Sequence, residues 1–76
     1  MTTEALRNVL ANNNWSRTTS NLFIKGSLSM ELQGQQAWLR RDSKQVAHFA
    51  IPEASIVDEH TIKIIPDSKK TMNLPL

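Results

Sequence analysis

The sequence predicts an α+β fold in which a short N-terminal helix packs on a small antiparallel sheet, a meander of 4–5 strands, and three observations carry that expectation. Apolar residues recur at helical spacing only near the N-terminus, they alternate with polar ones from Leu22 to Leu32, and turn residues then punctuate the chain at short intervals.

The helix is expected over Glu4 to Asn13. Leu6, Val9 and Leu10 fall on one face, Thr2 or Thr3 supplies an N-cap oxygen, and the Asn12-Asn13-Asn14 run tolerates the left-handed backbone of a C-cap. Trp15 is expected to fold back onto the helix or the sheet, with Ser16 to Asn21 as a polar connection.

From Leu22 to Leu32 a single long strand is expected, with Leu22, Ile24, Leu28, Met30 and Leu32 on the buried face and Phe23 as the one apolar residue on the other. Gly26 marks a bulge, a bend or a close approach of backbone. Gly34-Gln35 suits a type II′ hairpin, which pairs Gln33 with Gln36 and places Leu32 opposite Ala37, Met30 opposite Leu39 and Glu31 opposite Trp38. A second hairpin through Asp42-Ser43 pairs Arg41 with Lys44. Continued without interruption, it sets Val46 against Leu39 and His48 against Ala37, and leaves Trp38, Arg40, Ala47, Phe49 and Ile51 on the outer face. Pro52 ends this strand, Glu53 to His60 is an acidic connection, and Thr61 to Ile65 forms a last strand closed by Pro66. The expected organisation is one domain over residues 1–66 and a flexible basic tail over 67–76.

Composition narrows the chemistry. At 76 residues the chain holds one modest core. It contains no cysteine, which removes disulfides, thiolate nucleophiles and thiolate metal sites, and for so small a domain leaves oligomerisation as a common route to stability. Runs such as Leu22-Phe23-Ile24 are too short for a membrane span, and the N-terminus lacks the basic and apolar regions of a signal peptide, so a cytoplasmic protein is expected. The formal net charge of +2 names no partner.

His48 and His60 are the only imidazoles. Their spacing matches no metal motif, the two glycines do not form a phosphate cradle, and no nucleophile–base–orienter set is apparent, so neither catalysis nor a metal or other cofactor is expected. The candidate working surface is the outer sheet face, where Trp38 and Phe49 sit among Lys25 and Arg40, with Arg41 and Lys44 at a hairpin tip. Aromatic and arginine side chains favour a protein partner or a second copy of the chain, and this non-catalytic, regulatory binding role is the expected function. Nucleic-acid binding through the same aromatic and basic face is the alternative, and a small enzyme using His48 or His60 is the third reading.

Overall fold

The computed structural model describes all 76 residues, Met1–Leu76. Helix α1 (Thr3–Asn12) is followed by β1 (Ser16–Thr19), β2 (Leu22–Lys25), β3 (Leu28–Gln33), β4 (Gln36–Arg41) and β5 (Lys44–Ala50); a 3-10 turn (Ile51–Glu53) then leads to β6 (Ser55–Asp58), β7 (Thr61–Ile64) and β8 (Met72–Pro75). Strands β1 to β5 form one antiparallel meander in chain order, and β6 to β8 form a second sheet. The α+β expectation of a helix on a short meander is met. No helix is long and apolar enough to cross a membrane.

The helix begins where Thr2 accepts a hydrogen bond from the Ala5 N–H at 3.0 Å. It ends as Asn13 caps it and Asn14 turns left-handed at φ 67°. Leu6, Val9 and Leu10 point into the core. On the other side of the helix, Arg7 reaches the Ser20 carbonyl at 3.0 Å and the Asn21 side chain at 3.1 Å, tying α1 to the β1–β2 turn.

Two departures from a plain strand decide which residues face inward. Gly26, at φ +60°, is the first residue of a two-residue hairpin turn rather than an irregularity within one strand. The segment Leu22–Leu32 is thereby split into β2 and β3, and because Lys25 pairs with Leu28, Phe23 stands beside Met30. Phe23 therefore enters the core at 1% exposure, while Ile24 faces solvent. The hairpin at Gly34 keeps the expected register, with Met30 opposite Leu39 and Glu31 opposite Trp38.

The second departure is in β5. Arg41 pairs with Lys44 as expected, but a bulge at Val46 advances the strand by one residue, so that Leu39 faces Ala47, Trp38 faces His48 and Ala37 faces Phe49. The expected faces of β5 are exchanged: Ala47 and Phe49 are buried, and His48 lies outside.

The polar stretch after Trp15 is strand β1, the 3-10 turn takes up Ile51 at the end of the expected strand and leads into the acidic connection, and that connection contains β6. The expected tail also differs, since β8 pairs with β7 and buries Leu74. One core of 16 residues joins α1, the inner faces of both sheets, Trp15 and Ile51. The helix and the three-stranded sheet thus cover the same face of the meander and leave its other face to solvent.

Candidate functional site

The uncovered face of the meander is built from the residues that alternate with the core. Across its centre runs the cross-strand row Leu22, Glu31, Trp38 and His48, contributed by β2, β3, β4 and β5. Trp38 is half-buried, and its indole stacks on the His48 ring with centroids 4.8 Å apart and planes 16° from parallel. One pleat along, Arg40 donates from Nη1 to Glu31 Oε1 at 2.8 Å, a partly exposed ion pair on the same face.

Asp67, in the segment between β7 and β8, reaches the edge of this row. Both of its carboxylate oxygens lie 3.0 Å from His48 Nδ1. A carboxylate only accepts, so Nδ1 carries a proton and donates it, which fixes the ring's tautomer when neutral. Nε2 is buried and has no partner. The result is a fixed chain of side chains, Asp67 to His48 to Trp38, whose aromatic end stands in the open face.

The residues singled out in the sequence do not all meet there. Trp38 and Arg40 share the face. Phe49 does not: the bulge at Val46 turns it into the core at 1% exposure, so the expected Trp38–Phe49 surface is a Trp38–His48 surface. Arg41 and Lys44 face each other at the exposed tip of the β4–β5 hairpin, where Asp42 and Ser43 form the turn with φ of 51° and 68°. Lys25 is not on this face either: it alternates with Phe23 on the covered side of the sheet, where Nζ lies 2.6 Å from the Leu76 carbonyl oxygen.

Glu31, His48 and Asp67 join the site instead. The first is placed opposite Trp38 by the Gly34 hairpin alone, and the second comes beside it only through the bulge. Asp67 has no sequence signal, because its approach depends on how the second sheet folds back. His60 is remote from the face and bonds through Nδ1 to Asn13 Oδ1 at 2.8 Å. No three His, Cys, Asp or Glu side chains converge as a metal site would require. Comparison with protein-family models, curated proteins and solved structures returns no match for this chain.

Proposed function

We propose that this protein is a non-catalytic binding module that engages a protein partner through the outer face of the five-stranded sheet, with Trp38 as the anchor and Arg40 beside it. The observation that carries this reading is the Trp38–His48 stack on the meander face opposite the core. A tryptophan held rigid by a stacked neighbour loses little freedom on binding, which is what an interface anchor needs. Both histidines are engaged through Nδ1, by Asp67 and by Asn13, roles that orient side chains without requiring a substrate.

A protein partner suits the face better than a nucleic acid. Phe49 is withdrawn into the core, leaving one indole where successive bases need several platforms, and the Arg40 charge is answered by Glu31. The test uses a photo-reactive residue at Gln36, on the same face as Trp38, in the full chain in cell extract. It should yield a discrete protein adduct that is lost when Trp38→Ala is added. In parallel, sedimentation with mixed RNA and DNA should show no complex at physiological salt. Co-sedimentation that weakens steeply as salt rises overturns the reading.

A further inference from the structure

A second surface lies on the far side of the core. Between α1 and the β6–β7 hairpin runs an open groove of about 900 Å³. Its apolar lining comes from Ala5, Val9 and Ile56, and its polar rim includes Asp58, Glu59 and His60. Strand β6 is paired only with β7; the Met1 ammonium holds the Ala54 carbonyl just before it at 2.6 Å, and beyond that point its other edge has no partner strand, with Ile56 and Val57 along it 56% and 51% exposed.

The rim is an array of acceptors, and Asn13 sets the imidazole's part in it. This asparagine, 6% exposed, donates from Nδ2 to the Val9 carbonyl at 2.8 Å and to the Glu59 carbonyl at 2.9 Å. Its Oδ1 is thereby identified as the acceptor of the His60 Nδ1–H at 2.8 Å. The neutral His60 ring then carries its lone pair on Nε2, which has no partner within the chain. Asp58 accepts the His60 backbone N–H at 2.8 Å, and that bond, followed by one from the Thr61 hydroxyl, holds its carboxyl below the usual carboxylate range. No lysine or arginine lies between residues 52 and 60. Apolar walls below a rim of anionic and neutral acceptors match a side chain with an alkyl stem and a cationic, donor-rich head.

We infer that this groove receives an extended basic segment of another protein, which adds as a strand to the open edge of β6 and seats a lysine or arginine side chain against Glu59, Asp58 and His60. A strand joined to that edge lies between β6 and α1, and every second side chain turns toward Val9 and Ile56. Backbone pairing supplies affinity and the rim selects the cation.

The probe is a capped peptide of alternating lysine and valine, about eight residues long, titrated into the isotopically labelled full chain while backbone amide resonances are followed. Saturable shifts should centre on Ser55 to Asp58 and on α1 around Val9. Glu59→Lys, at an exposed turn, should weaken binding about tenfold while leaving the melting temperature near the parent's. A peptide of the same charge whose backbone is N-methylated at alternate positions should lose the shifts, as should one with glutamate in place of lysine. Equal binding by the N-methylated or the glutamate peptide overturns the inference. So do shifts centred on Trp38, an unchanged affinity in Glu59→Lys, or no shift at about 1 mM peptide.

Discussion

The two sheets of this molecule are held together differently. In the meander, each strand is joined to the next by a two-residue turn and the connections are all local. The three-stranded sheet has one such turn, at Glu59-His60, and is tied to the rest by long-range links. These include the Asn13 side chain to Glu59 and His60, the bridge between Phe49 and Pro66, the His48–Asp67 pair, and the Trp15 indole N–H, 3.4 Å from the Leu76 carbonyl. The meander offers the outside world a covered sheet's free face, whereas the second sheet offers a free edge. A face is read by side chains and an edge by backbone, so the two surfaces suit partners of different kinds.

The largest test of this contrast lies within the meander. Phe49→Ala removes a ring from the shared core and should destabilise by about 3–5 kcal/mol, whereas Trp38→Ala, one position along the paired ladder but on the open face, should cost on the order of 1 kcal/mol. Denaturant melts of the two variants measure the difference, and equal losses would show that Trp38 is a structural residue and remove the basis for treating it as an anchor.

An intermediate effect is expected at the link between the sheets. Asn13→Ala strips partners from the Val9 and Glu59 carbonyls and from His60, and should cost about 1–3 kcal/mol. Hydrogen exchange should quicken in β6 and β7 more than in β3 and β4, since the meander's own ladder is untouched. Uniform acceleration would mean that both sheets open as one cooperative unit.

The smallest effect belongs to Asp58. Its carboxyl titrates lower in the fold than the ordinary value of 3.8, so the stabilisation it confers is complete above that value and is lost as the pH falls through the folded pKa. The melting temperature of Asp58→Asn should therefore sit slightly below the parent's at neutral pH and approach it only as the pH falls from 3.8 through the folded pKa. A gap that stays constant with pH would show that the carboxylate's charge contributes nothing to the β6–β7 turn.

Much of the meander was legible because its strands and turns are local. The Gly34 turn alone sets the register of β3 on β4. The two places where the straight-strand reading fails each leave a misfit in the pattern, with Phe23 on a polar face and His48 on an apolar one. Gly26 resolves the first by turning the chain, and the Val46 bulge resolves the second by inserting a residue. In both cases burial of a phenylalanine prevails over uninterrupted alternation. The candidate face was half legible for the same reason: Trp38, Arg40 and Glu31 follow from the turn, while His48 needs the bulge. The groove was not legible, because α1 and β6 are far apart in sequence and are brought together by long-range contacts, the Asn13 network and the Met1 ammonium on the Ala54 carbonyl, that no local pattern encodes.

The bulge has one more implication, for length rather than for packing. Strand β5 has 7 residues where its partner β4 has 6. The spare position lies between pairs already correctly aligned, Arg40 with Gln45 and Leu39 with Ala47. A chain lacking Val46 would preserve both pairs and the same buried side chains, so this strand contains a point where the gene can lose a codon without shifting the frame of the core.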